Sequence, residues 1–287
     1  MKRYVCSIAL LAGVAGNAQA VNFDFEAPAF ALGDTYGNPV GHVPGDVVFS
    51  QGGVDASVEL FTLGGFVGFN YSRVSGHPGP PTSFFPAPIN PTQSLTINNI
   101  AMNFDVTAAG AIRDVRFDYV DLGGDENLQI NGFPRLEIGR MIDAVPLAPP
   151  GYSIAVSEVP IPGGVTGSVR ITAGPNRFIQ NVLVGGQEFG IDNFRIIQPG
   201  DTDGDGDIDD ADLGTAFANY TGPLPPGKGG MTPADGDTDG DGDVDDSDLG
   251  TAFSGYTGPK APAAAVPEPT SAALLLIGAA GLCRRRR

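Results

Sequence analysis

The chain has 287 residues, 33 acidic against 16 basic ones, a formal charge of −17 and only two cysteines. That charge makes nucleic acid and anionic lipid poor partners, and two cysteines exclude a disulfide-built scaffold. The 42 glycines and 25 prolines predict a fold of short elements split by turns.

The chain opens with Met1-Lys2-Arg3, an apolar run from Tyr4 to Ala15, and Ala18-Gln19-Ala20. A charged start, an apolar stretch and an A-x-A site form a signal peptide over residues 1–20, so the mature chain is expected to begin at Val21. The competing reading of this stretch is a buried N-terminal helix.

Residues 21–198 read as one β domain. Candidate strands are Val21–Phe25, Val54–Phe61, Phe66–Tyr71, Ser94–Ile97, Met102–Val106, Val115–Val120, Leu128–Ile130, Ser153–Val156, Ser168–Thr172 and Phe189–Ile197. They alternate, or carry β-branched and aromatic residues, between Gly/Pro/Asn punctuation. Proline-rich loops are expected from His77 to Pro91 and from Pro146 to Pro162. Ten short strands without a long amphipathic helix predict a β-sandwich of jelly-roll type.

No catalytic constellation is legible. The two histidines, His42 and His77, sit in Gly/Pro contexts, outside any metal-ligand or nucleophile-elbow spacing. Glu59, Glu137, Glu158 and Glu188 are glycosidase candidates by residue type only. With no tryptophan, a sugar-stacking platform would fall to Tyr36, Tyr71, Tyr119 and Tyr152, although aromatic residues on strands more often build the core. Phe23-Asp24-Phe25-Glu26, Asp118 to Gly132 and Gly185 to Phe194 (GGQEFGIDNF) give the domain a resemblance to carbohydrate-binding jelly rolls. That resemblance implies a structural calcium shared by Glu26 and Asp192. The alternative is two ordinary polar residues on edge strands.

Residues 199–258 hold an internal duplication with a period of 36 residues: DTDGDGDIDDADLGTAFANYTG from Asp201, and DTDGDGDVDDSDLGTAFSGYTG from Asp237. Carboxylates fall at positions one, three, five, nine and twelve of each loop, with glycine at six. They are Asp201, Asp203, Asp205, Asp209 and Asp212 with Gly206, then Asp237, Asp239, Asp241, Asp245 and Asp248 with Gly242. Asp207 and Asp243 hold position seven, where a backbone carbonyl would contribute. Hard cations such as Ca²⁺ take six to eight oxygens, and a twelve-residue loop supplies them by curling around the ion with a sharp turn at the glycine. Two bound Ca²⁺ are therefore expected, against the alternative of a solvated acidic linker. Ile208 and Val244, at position eight, are expected to pair the two loops. Leu213, Ala216, Phe217 and Tyr220, and likewise Leu249, Ala252, Phe253 and Tyr256, recur at helical spacing after each loop.

A loop plus exiting helix, twice, with no entering helix, resembles the type I dockerin module. The resemblance implies a cohesin-type partner, contacted at Asp210, Ala211 and Ala218 in the first copy and Asp246, Ser247 and Ser254 in the second. Position twelve is Asp where an EF-hand has Glu, and Phe217 and Phe253 stand where dockerins commonly carry a basic residue.

After a linker at 259–265, the tail 266–287 contains Pro267-Glu268-Pro269, thirteen mostly apolar residues from Ser271 to Cys283, and Arg284 to Arg287. Thirteen residues are short for a membrane span of about 20, and the arginines would stay on the cytoplasmic side. The three parts in this order resemble the PEP-CTERM sorting signal, which implies a short transmembrane helix, an exosortase and removal of the tail. An ordinary anchor would engage the membrane without cleavage. Both cysteines, Cys6 and Cys283, lie in the removable ends, so calcium would cross-link the mature chain. Loss of Lys2, Arg3 and the four terminal arginines takes the charge from −17 to −23 if Glu268 is kept.

The expectation is thus an exported surface protein, transiently anchored in the inner membrane, with a β-sandwich displayed through a calcium-dependent docking module and no catalysis. Its competitors are a carbohydrate-binding module and a polysaccharide-degrading hydrolase or lyase.

Overall fold

The computed structural model describes residues 21–76, 93–174, 176–204, 206–223, 229–239 and 241–258. The signal peptide, the 77–91 loop, the linker and the sorting tail lie outside them.

Among the described residues the fold is mainly β, in antiparallel sheets, with two short α-helices. In chain order the strands are β1 (Val21–Phe23), β2 (Thr35–Gly37), β3 (Val47–Gln51), β4 (Val54–Glu59), β5 (Phe61–Leu63), β6 (Phe66–Gly68), β7 (Tyr71–Gly76) and β8 (Gln93–Asn98). There follow β9 (Ile100–Asp105), β10 (Asp114–Asp121), β11 (Glu126–Ile130), β12 (Leu136–Ile138), β13 (Tyr152–Ile161), β14 (Gly164–Ala173), β15 (Asn181–Gly186) and β16 (Phe189–Ile197). The helices are α1 (Asp210–Ala218) and α2 (Asp246–Gly255). One sheet runs β13-β14-β10-β16-β8-β7-β2, with β1 also on β16, and the second runs β12-β11-β15-β9-β4-β3. β5 and β6 form a separate ribbon.

Alternation builds one apolar core from residues of both sheets. Val115, Phe117 and Tyr119 on β10 and Ile191, Phe194 and Ile196 on β16 join Met102 and Phe104 on β9 and Val182 and Val184 on β15. Phe104 and Phe194 stack across the sheets with ring centroids 3.8 Å apart. Tyr36 and Tyr119 are buried in this core, so these two tyrosines pack rather than present a sugar platform.

Most sequence-predicted strands are present, with differences. Val54–Phe61 breaks at Leu60, and Phe66–Tyr71 breaks after Gly68 into two strands. The stretch expected as a proline loop from Pro146 to Pro162 contains the ten-residue β13. Pro160 is tolerated because β13 is the edge of its sheet, where a missing N–H costs no ladder bond. Strands β2, β3, β12 and β15, β5 beyond Phe61 and β7 beyond Tyr71 have no counterpart among the predicted strands.

The duplicated segment and the β domain fall in one compact unit that runs to Thr257. The outer face of β10 explains the seam. Arg116 lies directly opposite Arg170 on β14 and Arg195 on β16, and like charges opposite one another are unfavourable. Asp114 answers part of that charge: Arg170 Nε donates to its Oδ2 at 2.6 Å, and Arg116 Nε lies 3.5 Å from its Oδ1. The acidic segment answers more. Arg116 Nη1 donates to the Asp203 carbonyl at 3.3 Å, and Arg113 Nη1 pairs with Asp237 Oδ1 at 3.2 Å.

Candidate metal-binding loops

Each loop closes on its own twelfth residue. Asp212 Oδ1 accepts from Thr202 N at 2.7 Å, Thr202 Oγ1 at 3.0 Å and Asp203 N at 3.3 Å. Its Oδ2 accepts from Asp209 N at 2.8 Å. Asp248 repeats this with Thr238 N at 2.7 Å, Thr238 Oγ1 at 3.0 Å, Asp239 N at 3.2 Å and Asp245 N at 2.8 Å. The same carboxylates complete capping boxes: Asp209 and Asp245 are the N-caps of α1 and α2 and accept from Ala211 N and Ser247 N. One residue thus ends the loop and starts the helix, which is why helix follows loop without a spacer.

The chain brings carboxylates together on this frame. Oxygens of Asp201, Asp203 and Asp212 lie within 4.8 Å of one another, as do those of Asp207, Asp209 and Asp212. The second copy repeats both groups with Asp237, Asp239 and Asp248, and with Asp243, Asp245 and Asp248. Asp241 is in neither group, and Asp205 lies outside the described residues. Gly206 and Gly242 have φ of +97° and +96°, the left-handed turn that favours glycine. Burial, with repulsion from Asp212 and Asp203, pushes the Asp201 carboxyl up to about 7. Oxygen-only donors of this kind suit a hard divalent cation.

Ile208 and Val244 do not pair with each other as expected. Val244 O accepts from Thr221 N at 2.8 Å, and Ile208 O accepts from Thr257 N at 3.0 Å. Each loop is bound by the threonine beyond the other repeat's helix, because Ile208 and Val244 are themselves buried.

The partner-face residues Asp210, Ala211, Ala218, Asp246, Ser247 and Ser254 are all exposed. Tyr256 Oη donates to Asp210 and Tyr220 Oη to Asp246, each at 2.6 Å. Phe217 and Phe253 meet edge to face at 6.0 Å, and each stays 53% exposed.

In the β domain, Asp192 is fully buried. Its Oδ1 accepts from Asn193 N at 2.8 Å, and among the described residues its Oδ2 has no hydrogen-bond partner. Burial, then repulsion from Asp118, Glu26 and Asp24, pushes its carboxyl up to about 8. Glu26 Oε1 accepts from Gln93 N at 2.7 Å. Sequence reasoning missed Asp118 and Asp24. The signal for Asp118 is cross-strand pairing, since it lies opposite Asp192 on β10.

The glycosidase candidates lie on different elements, with Glu59 and Glu137 both acting electrostatically on Arg135. Glu59 ends β4, Glu137 lies on β12, Glu158 on β13 and Glu188 in the β15–β16 turn. Glu158 is occupied by Tyr119 Oη at 2.6 Å and by Arg140, and Glu137 Oε2 by Gly64 N at 2.7 Å. His42 Nδ1 accepts from Gly37 N at 3.0 Å; His77 is outside the described residues. Among the described residues no helix is long and apolar enough to cross a membrane.

No curated protein and no solved structure matches the chain. Residues 265–287 match the family model of the PEP-CTERM protein-sorting motif. The chain is therefore similar at its C-terminus to exported, surface-sorted proteins, with an exosortase as the processing partner and transient membrane anchoring through the tail.

Proposed function

We propose that the chain is a calcium-dependent surface protein in which a non-catalytic jelly-roll β-sandwich is carried on a dockerin-like module that binds two Ca²⁺ and docks a cohesin-type partner or the envelope matrix. The observation that carries this is the twice-repeated gathering of carboxylates at positions one, three and twelve and at seven, nine and twelve. The residues that would hold the ions are Asp201, Asp203, Asp207, Asp209 and Asp212, and Asp237, Asp239, Asp243, Asp245 and Asp248. The ions would neutralise acid groups whose mutual repulsion opposes the folded loop. The exposed residues Asp210, Ala211, Ala218, Asp246, Ser247 and Ser254 would supply the docking surface, together with the exposed Phe217 and Phe253. Binding of the full mature chain to immobilised cohesin domains, in millimolar calcium and then in EDTA, tests the docking. Capture lost in EDTA and lost with Phe217→Ser plus Phe253→Ser supports it; no capture in calcium rejects the cohesin partner.

A second function, carbohydrate binding by the sandwich, is favoured by the orphaned Asp192 oxygen. Burial and repulsion from Asp118, Glu26 and Asp24 leave this carboxylate in want of a counter-charge. The structural Ca²⁺ implied by the jelly-roll resemblance would supply it, although its oxygens are not gathered with theirs as those of the loops are. A glycan array on the mature chain tests it, and an empty array removes it.

A further inference from the structure

The two repeats differ at four positions, Ile208/Val244, Ala211/Ser247, Ala218/Ser254 and Asn219/Gly255, none of them a carboxylate. Their loops carry the same hydrogen bonds at position twelve. On sequence alone the two would take a cation equally.

The β domain breaks that equivalence at position one. In the first loop, Asp201 Oδ1 accepts from Gly204 N at 2.6 Å and Oδ2 from Gly206 N at 3.1 Å. In the second, Asp237 Oδ2 keeps the Gly242 N bond at 3.2 Å, and Oδ1 in addition lies 3.2 Å from Arg113 Nη1, an ion pair with no counterpart at Asp201 among the described residues. The same nitrogen donates to the Asp237 carbonyl at 2.9 Å, and Nη2 donates to the Ala173 carbonyl at 3.3 Å. Arg113 is 4% exposed and Asp237 fully buried, so water screens this pair little. Arg116, the neighbouring arginine, reaches the first loop through a backbone carbonyl, that of Asp203.

We propose that Arg113 makes the two loops unequal cation sites: its guanidinium shares the position-one carboxylate of the second loop, so that loop takes a divalent cation more weakly than the first. The inference rests on the calcium-binding function proposed above. Arg116 sets a like charge against the backbone of the first loop, so what differs is contact with a liganding oxygen. A unit positive charge paired with that carboxylate competes directly with the ion and lowers affinity by about tenfold at water-like screening. Arg113 touches the ligand and not the ion, so it acts as a positioning residue.

Calorimetric titration of the full mature chain with CaCl₂ tests this. The wild type should show two loop constants separated by about tenfold or more. Asp203→Ala should remove the tighter step and Asp239→Ala the weaker one. Arg113→Met should bring the weaker constant to within about threefold of the tighter, whereas Arg113→Lys, which keeps the charge, should preserve the gap. Equal loop constants in the wild type overturn the proposal without any variant, as does an unchanged gap in a folded Arg113→Met chain. Two equal ions per chain would leave the calcium-binding function standing; no calcium in either loop would remove both.

Discussion

Thr221, three residues past the end of the first repeat's helix, is bonded to Val244 in the second repeat's loop. Its N donates to Val244 O at 2.8 Å, its Oγ1 donates to the same oxygen at 3.0 Å, and Val244 N donates back to Oγ1 at 3.2 Å. Thr257 does the same for Ile208 in the first loop. The repeats close each other, so neither is expected to be ordered alone.

Loss of either hydroxyl should act on the opposite repeat. Thr221→Val is expected to cost about 1 kcal/mol, the worth of a typical hydrogen bond. Hydrogen exchange should show protection falling at the Val244 amide and kept at Ile208. Thr257→Val should give the mirror result. Protection falling equally at both amides in both variants would contradict reciprocal closure.

Two phenylalanines separate core from docking face. Phe194 is fully buried and stacks on Phe104, so Phe194→Ala should cost about 3–5 kcal/mol by urea denaturation. Phe217 is 53% exposed, and Phe217→Ala should cost under about 1 kcal/mol while weakening capture by the partner. Comparable stability losses for the two would place Phe217 in the core.

Stability should fall as pH rises from about 4.5 towards about 9, through Glu126. This side chain is fully buried on β11, and neither carboxyl oxygen has a hydrogen-bond partner among the described residues. Burial, then repulsion from Asp121, Asp125, Asp143 and Glu158, pushes its carboxyl up to about 9. The folded chain therefore keeps a proton that the unfolded chain loses near 4.5. Stability from this group is complete at acid pH and declines as pH rises from about 4.5 to about 9. Glu126→Gln should match wild type near pH 4 and exceed it increasingly up to pH 9, read as the difference in urea midpoints. A difference that does not change with pH would show that Glu126 is ionised in the fold.

The tail should not persist. Intact-mass measurement of the native surface protein is expected to find Arg284 to Arg287 gone; their retention would mean a permanent anchor.

How much the sequence disclosed depends on whether a feature is local. The loops repeat, and acid spacing, glycine turn and helix start all lie within one dozen residues, so the frame of Asp201 to Asp212 was legible. Strand β16 was legible to the residue, because Phe189, Ile191, Phe194, Ile196 and Ile197 supply β-branched and aromatic side chains along it. β15 was missed although its Val182, Leu183 and Val184 are buried: its run is short and ends in Gly185-Gly186, which reads as a turn. β13 was legible over Ser153–Val156, and its second half was masked by Pro160, harmless only at a sheet edge. Arg113, 124 residues from its partner Asp237, left no local trace. The same holds for Asp118 beside Asp192, which only strand register joins.

The central claim is that the duplicated loops are the calcium sites, and calcium stoichiometry of the mature chain tests it most directly. Equilibrium dialysis of the full mature chain is expected to show that Asp201→Ala with Asp237→Ala removes two bound Ca²⁺ relative to wild type, with the β domain's near-ultraviolet signal retained. Equal calcium uptake by wild type and double variant would contradict it.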